Sequence, residues 1–151
     1  MKHEDRPWRT IASLLLAMLP LLSQAQSEPV GFVKIVVGDA WVSSAGKSVK
    51  AEPGTAIVLG SALRTGAGAS MGVAFKDRTL MSFGPNTELT VDEYLYAPTL
   101  DQLKFTTTLV KGTLDYRSGV IAKVKPDAVS VKTPSGVIGI RGTQFLAKVG
   151  D

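Results

Sequence analysis

Gln102-Leu103-Lys104-Phe105-Thr106-Thr107-Thr108-Leu109 decides the fold class: Leu103, Phe105, Thr107 and Leu109 fall on one side of a period of two, and Gln102, Lys104, Thr106 and Thr108 on the other. Successive side chains of a pleated strand point to opposite sides, so this alternation predicts a strand with one buried face. The pattern recurs on either side of it. Upstream, Met71, Val73 and Phe75 alternate with Gly72, Ala74 and Lys76. Downstream come Val129 and Val131, and then Phe145, Ala147 and Val149. The content of Val, Ile and Thr suits a pleated surface, where β-branched side chains pack well. No segment shows a helical period.

Turn signals punctuate the runs: Gly38-Asp39, Ala45-Gly46, Pro53-Gly54, Thr65-Gly66, Lys76-Asp77-Arg78, Gly84-Pro85-Asn86, Lys111-Gly112, Ser118-Gly119, Lys125-Pro126-Asp127 and Pro134-Ser135-Gly136. Their spacing of roughly 8–12 residues marks an all-β architecture. The segment from Tyr94 to Asp101, interrupted by Pro98, reads as a longer surface loop. The prediction is one all-β domain, a β-sandwich or β-roll of about ten short strands, with a short β-helical roll as the alternative.

The first residues carry a different pattern. Lys2, Arg6 and Arg9 form a basic start diluted by Glu4 and Asp5, an apolar stretch runs from Ile11 to Leu22, and Ser23-Gln24-Ala25 supplies a small-residue cleavage site. That order is the grammar of a secretory signal peptide. A membrane span needs about 20 apolar residues, and this run is shorter and carries Pro20. Residues 1–25 are therefore expected to be a cleaved signal, 26–29 a short polar leader, and 30–151 the β domain, exported to the periplasm or beyond it, with no stable membrane span after cleavage.

Two absences narrow the chemistry. The chain has no cysteine, so it holds together without disulfides and is not acylated on an N-terminal cysteine. Its one histidine, His3, lies in the expected signal. The usual zinc and copper ligands, the thiol nucleophile and the Ser-His-Asp arrangement are thereby missing from the β domain. The expectation is a protein that is not an enzyme and needs no cofactor. The basic residues stand singly along the sequence, which argues against nucleic acid as a partner.

The order of motifs resembles the FecR domain, the periplasmic β-rich domain named after the iron-citrate sensing regulator. The resemblance starts at Gly38-Asp39-Ala40-Trp41-Val42 and runs through Gly60-Ser61-Ala62-Leu63-Arg64-Thr65-Gly66, Asp77-Arg78-Thr79 and Leu109-Val110-Lys111-Gly112-Thr113-Leu114. Its most specific element pairs Val131-Lys132-Thr133-Pro134 with the later Arg141-Gly142-Thr143-Gln144-Phe145. The resemblance covers about Val30 to Val149 and implies an all-β fold and an envelope location. Where the family usually has glycine in the turn, this chain has Arg78, which implies another turn type or strain. Only Met1 to Thr10 precede the apolar stretch, too few residues for the cytoplasmic segment of iron-citrate regulators. The founding member's signalling role is therefore not carried over directly. The ending at Asp151 fits either a minimal domain or a truncated copy.

Three sets of residues are candidates for a site. Arg141 can serve as a guanidinium fork for an anion or partner. In a structural role it would pair with a buried carboxylate such as Glu88 or Asp115, with Gly142 permitting a bulge or close approach and Thr143 satisfying a turn. Tyr94 and Tyr96 would form either an exposed aromatic platform for a glycan or peptide, or a cover over a sheet edge. Asp92-Glu93 is the one adjacent acidic pair, and neighbouring strand residues face opposite sides, so it reads as a solvated strand end. The sequence thus favours a non-catalytic periplasmic binding or scaffold module with an envelope protein as partner. The alternatives are a sensor of a cell-wall glycan or small anion, and a part of a transmembrane sigma-regulator system acting through a separate partner.

Overall fold

The run that alternates most regularly becomes the longest strand. A computed structural model describes residues 27–150, and the expected signal lies outside the described residues. In chain order the strands are β1 (Gly31–Val37), β2 (Ala40–Ser44), β3 (Lys47–Lys50), β4 (Ala56–Ile57), β5 (Ala62–Thr65), β6 (Ser70–Phe75), β7 (Leu80–Phe83), β8 (Glu88–Ala97) and β9 (Gln102–Arg117). One α-helix among the described residues, α1 (Val120–Val124), follows, and then come β10 (Val129–Thr133), β11 (Gly136–Gly139) and β12 (Gln144–Val149). The chain forms one all-β domain, built as a twelve-stranded sheet curled into a half-barrel.

The register of β9 explains the curl. Along one edge, β7 and β8 run in tandem, pairing Leu80 with Arg117, Phe83 with Leu114, Glu88 with Lys111 and Ala97 with Gln102. The Gly84 N–H donates to the Thr113 carbonyl at 3.3 Å, which keeps the link between β7 and β8 on the same edge. Along the other edge, β10 pairs parallel with Phe105–Thr108 and β12 pairs antiparallel with Gly112–Arg117. The outer side of β8 continues through β5 and β2 to β3, whereas the outer side of β7 continues through β6 and β1 to β4. Two leaves therefore share β9 and enclose the core between them. Phe105, Leu109, Leu114 and Tyr116 of β9 are buried there with Leu63, Leu89, Val73 and Met81. Leu103, Phe105, Thr107 and Leu109 all face inward as the alternation predicts; Thr106 is buried too, opposite the register shift between Val91 and Glu93.

The leaves part at a threonine knot. The Thr65 hydroxyl donates to the Gly84 carbonyl at 2.6 Å and accepts the Thr87 N–H at 2.9 Å. The Thr87 hydroxyl donates to Gly84 at 2.9 Å and accepts the Thr113 N–H at 3.0 Å. Gly112 lies against this knot with φ +96°, and a Cβ there would run into the Thr87 side chain and its Cα. Lys111-Gly112, expected as a turn, lies instead inside an unbroken strand. The glycine lets β9 kink where it changes partners, as at a bulge, rather than ending it.

Two other expectations change. Tyr94 to Ala97 belong to β8 rather than to a long loop, and a 3-10 turn at Pro98–Leu100 leads straight into β9. Pro98 opens that turn and Asp101 closes it at φ 53°. The helix α1 was not legible as a period because five residues make little more than one turn.

Gly112→Ala should destabilise the fold by about 2–3 kcal/mol, through both its positive φ and the collision with Thr87. Gly46→Ala shares a φ of +76° but meets nothing within 4 Å, so it should cost only about 1 kcal/mol. Urea unfolding midpoints of the two variants check the difference.

Candidate functional site

Asp77, read from sequence as a turn former, is fully buried and organises the region around it. Its Oδ1 accepts the Thr79 N–H and the Tyr94 hydroxyl, each at 3.2 Å, and its Oδ2 accepts the Thr79 hydroxyl at 2.8 Å and the Ile121 N–H at 3.2 Å. Its carbonyl takes the Val120 N–H at 2.7 Å. A carboxylate from the turn after β6 thus caps a helix 44 residues away, replacing the side-chain cap that Gly119 does not supply. Arg78 adopts φ 71°, so the turn places a left-handed residue there and the arginine carries the strain. The visible signal for this hub was Asp77-x-Thr79, although nothing local announced its distant partners.

Tyr94 belongs to that hub. Its hydroxyl accepts the Asp77 N–H at 2.9 Å, and its ring packs 4.9 Å from Phe105 and 5.9 Å from Phe75. Tyr96 is half-buried and packs on the core beside it. Both rings lie against the core and neither stands clear of the surface. Asp92 and Glu93 are exposed, but they lie in the middle of β8, at the register shift between Val91 and Glu93, and not at the strand end that the sequence suggested. Asp92 accepts the Thr108 hydroxyl at 2.6 Å, and Glu93 lies 3.7 Å from the Lys104 ammonium.

Arg141 does not pair with Glu88 or Asp115. Its side chain is 88% exposed and its guanidinium lies 3.9 Å from the equally exposed Asp127. Glu88 faces Arg64 instead, and Asp115 accepts a hydrogen bond from Gln144 at 2.9 Å. Gly142 takes φ +117° with open space around it, so its role is conformational and not a close approach. Ser118 ties this corner down: its hydroxyl donates to the Gly142 carbonyl at 2.8 Å and its N–H to the Thr143 carbonyl at 2.8 Å. Thr143 acts through its backbone.

That corner launches β12. The strand pairs with β9 alone, so its outer edge has no neighbour among the described residues. The Ser118 N–H donates to the Thr143 carbonyl across the ladder, and antiparallel bonds alternate. The backbone of Phe145, Ala147 and Val149 therefore faces β9, while that of Gln144, Leu146 and Lys148 faces outward. Phe145, Ala147 and Val149 are only partly covered, with the Phe145 ring stacked 5.0 Å from Tyr116. Leu146 is 78% exposed. Between β12 and the β10–β11 hairpin lies a groove of about 590 Å³, walled by Ile138, Ile140, Phe145 and Val149 and flanked by Arg141 and Lys148. β12 thus combines an unpaired outer edge with a groove beside it. The sequence marked Arg141 to Thr143 but missed the edge, because openness is a property of pairing and not of residue type.

The sequence model of the FecR protein family matches residues 61–151, from β5 through β12. The chain belongs to this family. The match takes in the threonine knot, the Asp77 hub and the β12 edge, while β1 to β4 precede it. No curated protein and no solved structure matches the chain. No helix among the described residues is long and apolar enough to cross a membrane.

Burial, and next the charge of Asp77, pushes the Tyr94 phenol above its ordinary value near 10, and burial does the same to Tyr116, whose buried hydroxyl has no hydrogen-bond partner among the described residues. Both phenols hold their protons more tightly folded than unfolded, so the unfolded chain loses them first as pH rises. The stability they contribute is whole below about pH 10 and drains above it, by up to about 1.4 kcal/mol per pH unit for Tyr116 and less for half-buried Tyr94. Urea titrations at successive alkaline pH values should show that decline, with a shallower slope in Tyr94→Phe.

Proposed function

We propose that this FecR-family chain is a non-catalytic binding module of the bacterial envelope, working in the periplasm, that recruits an extended segment of another envelope protein along β12. The observation that carries this reading is the unpaired outer edge of Gln144–Val149. Strand addition draws its affinity from main-chain hydrogen bonds and its specificity from pockets for alternate side chains, and the groove beside β12 offers such pockets. The histidine and thiol chemistry that most hydrolytic sites need is absent from residues 26–151. Family membership supports a role in envelope sensing through a separate partner, which fits a module that binds and does not react. The sensor alternative loses its tyrosine platform, since the Tyr94 hydroxyl is committed to Asp77.

Leu146→Pro tests the edge directly. It removes an outward N–H while leaving the ladder to β9 intact, a position where sheets tolerate proline. Site-specific photocrosslinking from Gln144 in a Gram-negative periplasm should yield one defined adduct with the wild type, none with Leu146→Pro, and the same adduct with Leu146→Thr, which keeps the N–H. An adduct undiminished in Leu146→Pro overturns the proposal.

A further inference from the structure

The charges of this chain are divided unevenly along it. Residues 27–109 hold seven Lys and Arg against eight Asp and Glu, close to balance, whereas residues 110–150 hold seven Lys and Arg against only Asp115 and Asp127. The pairing follows the same division. In the first part, Lys50, Arg64, Lys76 and Lys104 each sit within 4 Å of a carboxylate. In the second, among the described residues, Arg141 alone does so, at 3.9 Å between two nearly bare side chains. Arg117 and Lys148 have no carboxylate within 4 Å among the described residues.

These unbalanced cations bracket the open strand. Arg117 stands opposite Gln144 at the start of β12, and Arg141 lies three residues before that strand on the groove wall. Lys148 occupies the far end. Between them β12 presents Leu146 outward and Phe145, Ala147 and Val149 toward the groove, with no acidic residue of its own. The one carboxylate opposite it, Asp115 across from Leu146, accepts a hydrogen bond from Gln144, so cations outnumber it around the strand three to one. A surface of one sign attracts and orients a segment of the other, and like charges opposed across a strand pair are destabilising.

From this arrangement we infer that the segment received by β12 is an acidic strand: apolar where it meets Leu146 and the groove, with Asp or Glu flanking both ends. The inference rests on the edge reading of β12 and adds the partner's chemistry to it. A second copy of this chain fits poorly as the occupant, because pairing β12 with itself would bring two cationic surfaces together with no carboxylate on either strand.

The test uses the purified protein and three fluorescent strand peptides of alternating valine and threonine, flanked at both ends by glutamate, glutamine or lysine. Fluorescence anisotropy at low salt should rank them glutamate, glutamine, lysine, with the glutamate peptide roughly tenfold tighter than the glutamine peptide. That gap should close as salt is raised, since exposed charges are screened. Lys148→Glu and Arg141→Glu, both at exposed positions with folding checked by circular dichroism, should each narrow the gap, and Leu146→Pro should abolish binding of all three. Equal affinity for the glutamate and glutamine peptides, lost in Leu146→Pro, overturns the acidic partner and leaves the edge standing. Affinity for none of them overturns both, whereas a concentration-dependent dimer in light scattering that Leu146→Pro dissolves overturns the acidic partner in favour of a second copy and leaves the edge standing.

Discussion

The contact of Gly112 with Thr87 is the constraint on which the rest of the arrangement depends. β9 serves two leaves, and a strand can do so only if it changes direction without losing its ladder. The left-handed glycine supplies the change of direction, and the Thr87 hydroxyl, bonded to Gly84 and Thr113, fills the space the missing side chain leaves. Thr65 locks the same point from β5. With the kink in place, β8 and β10 flank the first half of β9 while β7 and β12 flank the second, and both inner faces meet over Phe105, Leu109 and Tyr116.

A second constraint secures the end of that strand. Chain leaving Arg117 must cross from one leaf to the other to place β10 beside Phe105, and a five-residue helix is too short to hold itself together. Asp77 supplies the missing organisation, its carboxylate bonding Ile121 and its carbonyl bonding Val120, while Gly119 lets the helix start approach the turn closely. Tyr94 closes the arrangement from β8. The β6–β7 turn, β8 and α1 are thus fixed by one buried carboxylate, and the Ser118 corner that releases β12 follows directly from it.

Strand positions were legible where alternation met turn residues, as at Met71 to Phe75 and Leu103 to Leu109. The same signals misled at Lys111-Gly112, because a glycine bending a strand and a glycine ending one look alike until the partners are known. Asp77 was legible as a turn residue and not as a hub, since its partners Tyr94 and Ile121 are 17 and 44 residues away. Arg141 was marked by its motif, yet its exposure and its loose contact with Asp127 depend on how the corner folds. The family resemblance reached the right fold because the conformational residues, glycines and small hydroxyl side chains, are the ones that turns and knots require.

The edges of the sheet show where the fold defends itself and where it does not. β3 ends one leaf with lysine at both termini and every residue exposed, a composition that discourages pairing. β4 ends the other leaf with only two residues, too short to template a strand. β12 is six residues long, offers a row of outward N–H and C=O groups, and leaves Phe145, Ala147 and Val149 half covered. Defence at β3 and β4 shows that this sequence can blunt an edge at small cost, since two lysines or a shortened strand suffice. Along β12 the one such device is Lys148, near the strand's end, and on the proposed reading the remaining length is what leaves this edge free to take a partner strand.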